Sequence, residues 1–81
     1  MYYIYILECA DKTLYTGITT DLARRVAEHN SGKSGSKYTF VRRPARLVFS
    51  RKFKDRSAAS KEEARIKKLK KSQKLKLIGK L

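Results

Sequence analysis

After Met1 the chain runs through Tyr2-Tyr3-Ile4-Tyr5-Ile6-Leu7, all apolar or aromatic. A run with no polar alternation predicts a strand buried on much of both faces, hence a central one. Ala10-Asp11-Lys12 predicts a turn, and Leu14-Tyr15-Thr16-Gly17-Ile18 predicts a second strand. So short a connection makes the pair an antiparallel hairpin, with Tyr5 and Tyr15 in reach of each other across it. Past Thr19-Thr20-Asp21 the spacing becomes helical. A threonine is expected to cap the first amides, and Asp21 suits the positive end of the helix dipole. Leu22 and Val26, with Ala23 and Ala27, are expected to form the apolar stripe, and Arg25 and His29 fall at i and i+4 on a neighbouring face. Asn30-Ser31-Gly32 ends the helix, with Gly32 as a left-handed cap.

Lys33-Ser34-Gly35-Ser36-Lys37 reads equally as a flexible surface loop or as one suited to phosphate contacts, and Tyr38 to Arg43 has a mixed pattern. Pro44 imposes an extended approach to a third strand, Ala45 to Phe53, packing through Leu47, Val48, Phe49 and Phe53. Asp55-Arg56-Ser57 starts a second long helix, with Asp55 or Ser57 as its cap and Ala59, Ile66 and Leu69 on its apolar face. Ser72 is expected to cap a last short helix, Gln73 to Ile78, docked through Leu75 and Ile78. The predicted fold is a single α/β domain of the α+β type over residues 1–81, with a three-stranded antiparallel sheet flanked by helices.

Charge changes this picture. The chain of 81 residues carries a formal net charge of +14, which points to a polyanion, nucleic acid first and anionic lipid second. The first 32 residues set Lys12, Arg24 and Arg25 against Glu8, Asp11, Asp21 and Glu28, a net of −1, so residues 33–81 carry an excess of +15. A binder working by charge alone needs no such asymmetry. A site in the first third, fed by a basic surface built from the remainder, produces it. No apolar run of eighteen or more is present, which excludes a membrane-spanning helix, and no signal peptide is expected at the start. One cysteine, Cys9, allows no internal disulfide, fits a reducing cytoplasm and is expected to pack rather than react.

The polar residues in unusual places are Tyr5, Tyr15, Arg25, His29 and Glu63. Each has an ordinary explanation: the tyrosines as core aromatics, Arg25 and His29 as solvated helix residues, Glu63 paired with Arg65, Lys67 or a strand arginine. Glu63 lies at the edge of an apolar helix face, where a carboxylate is costly unless paired or open to a cleft. Together they form the set that phosphodiester hydrolysis requires: a group to orient or deprotonate water, a cation for the transition-state charge and a carboxylate for a metal.

At these residues the sequence resembles the GIY-YIG nuclease superfamily, specifically its small stand-alone bacterial members of the UPF0213 type. The first motif stands as Tyr3-Ile4-Tyr5 and the second as Tyr15-Thr16-Gly17, and the likeness continues through TGITTDLARRVAEHNSGK, KYTFVRRPARLVF and DRSAASKEEARIKKLKKSQKLKLI. Tyr3 replaces the first motif's glycine and Thr16 the second motif's middle residue, but both motif tyrosines and Gly17 are kept. The resemblance implies an active site of Tyr5, Tyr15, Arg25 and Glu63, with His29 at a further family position four residues after the arginine.

The expected activity is metal-dependent hydrolysis of nucleic acid, DNA ahead of RNA. Tyr5 or Tyr15 would orient or deprotonate water, with His29 accepting the proton. Arg25 would stabilise the phosphate charge through its forked donor. Glu63 would hold one Mg²⁺ or Mn²⁺, and Gly17 would allow close approach of backbone and substrate. No small-molecule cofactor is expected. Lys33, Lys37, Arg42, Arg43, Arg46, Lys67, Lys68, Lys70 and Lys71 are expected to contact phosphates. The rival reading is a non-catalytic basic module that binds nucleic acid, RNA or the ribosome, which has no need of the tyrosine, arginine and glutamate set.

Overall fold

Strand β1 (Tyr2–Glu8) is the middle of the molecule, with β2 (Leu14–Thr19) on one side and β3 (Arg46–Phe53) on the other, both antiparallel to it. The structure is a computed structural model and describes residues 1–31 and 36–79. Alternate side chains of β1 enter two different cores, which explains why the strand is apolar at every position. Ile4 and Ile6 pack with Ala59 and Ile66 of α3 (Arg56–Lys67), bordered by Leu77 of α4 (Lys71–Leu77) and by Ile78. Tyr5, Leu7 and Cys9 pack on the opposite face with Ala45, under Leu22 and Val26 of α1 (Leu22–Ser31). The fold is therefore α+β, with helices on both faces of a three-stranded antiparallel sheet. No helix among the described residues is long and apolar enough to cross a membrane.

The hairpin turn is built by Asp11, whose Oδ1 accepts from the Thr13 amide at 3.1 Å and from its hydroxyl at 2.6 Å. Lys12 adopts φ 69°, a left-handed conformation imposed by this tight turn on a residue with a Cβ. The expected cap of α1 is corrected: Asp21 Oδ1, not a threonine, accepts from the Arg24 amide at 3.0 Å, while Thr19 Oγ1 accepts from Asp21 N–H. The apolar stripe is corrected too. Ala23 and Ala27 are exposed, and the face turned to the sheet carries Leu22, Arg25, Val26 and His29. Each alanine follows an inward residue by one position, about 100° round the helix. Arg25 and His29 thus share the buried face instead of flanking it. The expected cap Gly32 lies outside the described residues.

A short helix α2 (Lys37–Phe40) replaces the end of the expected loop, capped by Ser36 Oγ, which accepts from the Thr39 amide at 3.2 Å. Four residues are too few to leave a periodic signature. Between Ile6 and Leu7 the register against β3 shifts, so that Ile6 faces Phe49 and Leu7 faces Leu47. This bulge leaves Val48, Phe49 and Phe53 packed and turns Leu47 outward, 40% exposed, against the expectation that it packs. Asp55 caps α3, its Oδ1 accepting from the Ala58 amide at 2.9 Å. Helix α4 starts at Lys71 rather than Gln73. Its cap is Lys70, whose amide donates to Gln73 Oε1 at 2.9 Å, and Ser72 sits inside the first turn.

Candidate active site

Tyr5 and Gly17 are partners across the hairpin, and the tyrosine ring lies over the glycine. A Cβ at Gly17 would fall 2.5 Å from Tyr5 Oη and 2.6 Å from Cζ, so only glycine leaves room for the ring. The close approach that Gly17 permits is thus first that of Tyr5 itself. The hydroxyl end of Tyr5 points under α1, where two residues one turn apart meet it. His29 Nε2 lies 2.9 Å from Tyr5 Oη, and Arg25 Nε donates to the same oxygen over a long 3.4 Å. Arg25 Nη1 also donates to Glu28 Oε1 at 3.0 Å, on the next turn of the same helix. The imidazole is fully buried, and its other nitrogen, Nδ1, lies 2.7 Å from Oγ1 of the equally buried Thr39 on α2.

Tyr15 joins through its ring, with centroids 6.4 Å from Tyr5, 5.1 Å from His29 and 5.8 Å from Tyr38. It sits two positions along β2 from Gly17, a diagonal neighbour of Tyr5 on the same face. Glu63 is placed differently. No hydrogen bond links it to the tyrosines, Arg25 or His29, and its Oε2 lies 3.4 Å from Lys67 Nζ. Its charge still reaches Tyr5, where it adds to the forces keeping the phenol protonated.

Burial is the largest influence on Tyr5, pushing its pKa up, and the Arg25 guanidinium opposes this without reversing it. Tyr5 is therefore a neutral phenol at neutral pH and needs a partner to take its proton. Burial also dominates at His29, with the Arg25 charge adding to it and Glu28 opposing, and the net effect lowers the imidazole pKa below its usual 6.5. A neutral imidazole beside a neutral phenol is a proton acceptor in place. Arg25 itself is depressed by burial, but contacts with Tyr5 and Glu28 outweigh this and raise it, so it stays cationic.

Among the described residues no three histidine, cysteine or acidic side chains converge as a metal cluster. A single hard oxygen donor nonetheless suits Mg²⁺ or Mn²⁺, which keep several waters and take one or two carboxylates plus substrate phosphate. Glu63 fits that description, partly exposed and, among the described residues, paired with the surface Lys67. Its neighbour Glu62 does not. Arg65 grips both its oxygens at 2.7 and 2.6 Å, Arg51 adds a third contact, and the carboxyl is held below its ordinary pKa chiefly by the Arg65 bond.

A cleft of about 320 Å³ opens beside Arg25, with Thr19, Thr20, Arg24 and Arg56 on its walls. A larger one of about 600 Å³, between Asn30, Phe40 and Pro44, includes none of Tyr5, Arg25 and His29 and carries no part of this chemistry. The expected phosphate contacts divide into two groups. Lys37, Lys68, Lys70 and Lys71 are exposed, and Lys67 is exposed but paired with Glu63, whereas the half-buried Arg42 and the exposed Arg43 and Arg46 all bond within the protein. Arg42 pairs with Asp11 at 3.0 Å and lies 4.1 Å from the Tyr38 ring centroid. Arg43 donates to the carbonyls of Phe40 and Asn30, and Arg46 pairs with the buried Glu8 at 2.8 Å. Lys33 lies outside the described residues. Two contributors escaped the sequence: Glu28, which i,i+3 spacing from Arg25 could have suggested, and Thr39, which left no signal.

A family model described as the GIY-YIG catalytic domain matches residues 1–76. A UPF0213 protein of Syntrophus aciditrophicus is 54% identical over 76 residues, covering 94% of this chain and 87% of that one. Another, from Desulfotalea psychrophila, is 52% identical over 77 residues, with coverage of 95% and 70%. Among solved structures, the solution NMR structure of the UPF0213 protein BH0048 from Bacillus halodurans superposes with a TM-score of 0.62 at 44% identity, covering 96% of this chain and 83% of that one. The NMR structure of EF2693 from E. faecalis gives 0.65 at 46% identity, with 95% and 81% covered.

Proposed function

This chain belongs to the GIY-YIG family, whose members are generally nucleases, and on that premise we propose that it is a divalent-metal-dependent nuclease acting on phosphodiester bonds. The observation that carries the reading is the contact of Arg25 and His29 with one buried hydroxyl, that of Tyr5. A module that only binds nucleic acid has no use for a buried phenol held between a guanidinium and a neutral imidazole.

The attacking water gives its proton to Tyr5 Oη as Tyr5 gives its own to His29 Nε2, so the phenol relays charge without becoming a free phenolate. His29 is suited to this because burial and Arg25 keep it neutral until that moment. Arg25, cationic and fixed between Tyr5 and Glu28, stabilises the charge growing on the phosphate oxygens. Tyr15, in ring contact with Tyr5 and His29, orients the water. Glu63 would hold the divalent ion, which when bound would supply Lewis-acid chemistry at the phosphate. DNA is favoured as substrate because the device activates an external water, and RNA carries its own 2′-hydroxyl nucleophile.

The test is a panel of labelled single-stranded, nicked and branched DNA and RNA with Mg²⁺, Mn²⁺ or EDTA. Cleavage that EDTA abolishes, stronger on DNA, is expected. Tight binding with no cleavage under any metal would favour the binding-module alternative.

A further inference from the structure

The contacts at Tyr5 continue beyond His29, and the two ends of the series have fixed polarity. At one end Arg25 Nε–H can only donate, and it donates to Tyr5 Oη. At the other the backbone carbonyl of Ser36 can only accept, and Thr39 Oγ1 donates to it at 3.2 Å. Between these lie Tyr5 Oη to His29 Nε2 at 2.9 Å and His29 Nδ1 to Thr39 Oγ1 at 2.7 Å. Each hydroxyl has one proton, and so does the neutral imidazole. Ser36 Oγ also lies 3.2 Å from Thr39 Oγ1 and either of those hydroxyls could donate, so the end that fixes the direction is Arg25, and it points every donor the same way. Arg25 donates to Tyr5, Tyr5 to His29 Nε2, His29 Nδ1–H to Thr39, and Thr39 to the Ser36 carbonyl.

The reverse polarity fails at the Tyr5 end. It would put the N–H groups of Arg25 and His29 on Tyr5 Oη together and leave the phenol proton with no acceptor among the described residues. At the Thr39 end it would cost the bond to the Ser36 carbonyl, with the Ser36 hydroxyl left to donate to Thr39 Oγ1 in its place.

We propose that Thr39 is a positioning residue that holds His29 in its Nδ1–H tautomer, so that the Nε2 lone pair stays aimed at the Tyr5 hydroxyl. The proposal deepens the phosphodiesterase reading and rests on it for its catalytic consequence. Its structural content stands alone. Helix α2 is the element that does the positioning. Ser36 caps it, the cap orients Thr39, and both Thr39 and His29 are fully buried, so no water substitutes for the hydroxyl. Among the described residues, the remaining charged or titratable groups around the imidazole are Tyr5 on β1, Tyr15 on β2, and Arg25 and Glu28 on its own helix. None of these faces Nδ1, so the tautomer depends on Thr39.

His29 is the chain's single histidine, so ¹⁵N-resolved imidazole spectra report its tautomer without assignment by mutation. At neutral pH the wild type is expected to show a protonated Nδ1 and a bare Nε2. Thr39→Val, close in shape but without the acceptor, is expected to lose that tautomer. Its kcat should fall by at least about tenfold, within the roughly 10²–10⁴ that general acid–base catalysis supplies, with KM little changed. Thr39→Ser, which restores the hydroxyl, should recover both the tautomer and most of the rate. A wild type with a protonated Nε2 would overturn the proposal, and that measurement needs no variant to fold. A Thr39→Val protein with wild-type tautomer and kcat would overturn it as well. If the wild type shows the expected tautomer but cleaves nothing with any divalent metal, the positioning role holds and the nuclease reading fails.

Discussion

Gly17 shows how much of this site depends on one missing methyl group. The Tyr5 ring occupies the volume a Cβ would need, so Gly17→Ala must push the phenol away from His29 and Arg25 or distort the hairpin. Overpacking of this kind costs about 1–3 kcal/mol. Thermal denaturation should show that loss, and cleavage should fall further than stability alone explains, because the relay needs its 2.9 Å contact. His29 adds a pH dependence. Its pKa is lowered on folding, so the unfolded chain binds the proton more readily below pH 6.5. The stabilising contribution is therefore present above that pH and is lost as pH falls through the folded value. Melting temperatures followed from pH 7.5 to 5 should drop, and His29→Gln should flatten that slope. The nearness of Tyr5 to Tyr15 was legible from the short hairpin, whereas Arg25 and His29 were brought to them by the family resemblance, since polarity alone leaves both on a solvated face. Thr39 was not legible, because a buried threonine and an exposed one look alike in sequence.

At the scale of elements, legibility followed the strength of the hydrophobic pattern. Strand β1 was readable because two cores leave it no polar position, and α3 because Asp55, Ala59 and Ile66 mark its cap and buried face. Helix α1 was readable as a helix but not in its orientation. Two alanines suggested a stripe, while the buried face includes an arginine and a histidine that polarity alone assigns to solvent. The register shift opposite Ile6 and Leu7 has no signature in residue type. On the proposed reading, helix α3 also separates two adjacent carboxylates by function, and this is open to test. Glu63→Gln should abolish metal-dependent cleavage while folding and nucleic-acid binding persist. Glu62→Gln should leave cleavage nearly intact, since Arg65 and Arg51 already occupy that carboxylate. Metal-titrated cleavage of both variants, with circular dichroism as a folding control, measures this, and the opposite pattern would move the metal to Glu62.

Across the whole molecule, charge and chemistry are separated. The excess of positive charge lies after residue 32, while the buried relay draws on β1, β2 and α1 from the near-neutral first third. Nucleic-acid binding is expected to spread over many cations, most of them exposed lysines, whereas the proposed chemistry converges on one guanidinium. Single-turnover cleavage and equilibrium binding of the same labelled substrate by wild type, Arg25→Ala and Arg25→Lys separate the two functions most directly. Loss of one transition-state donor is expected to cut the rate of Arg25→Ala by roughly 10²–10³. Affinity should change far less, since one charge among 21 basic residues contributes little to phosphate attraction. Arg25→Lys, which keeps the charge but not the fork, should recover part of the rate. Equal cleavage rates for wild type and Arg25→Ala, or no cleavage by the wild type with any divalent metal, would contradict an active site built on Arg25, Tyr5 and His29.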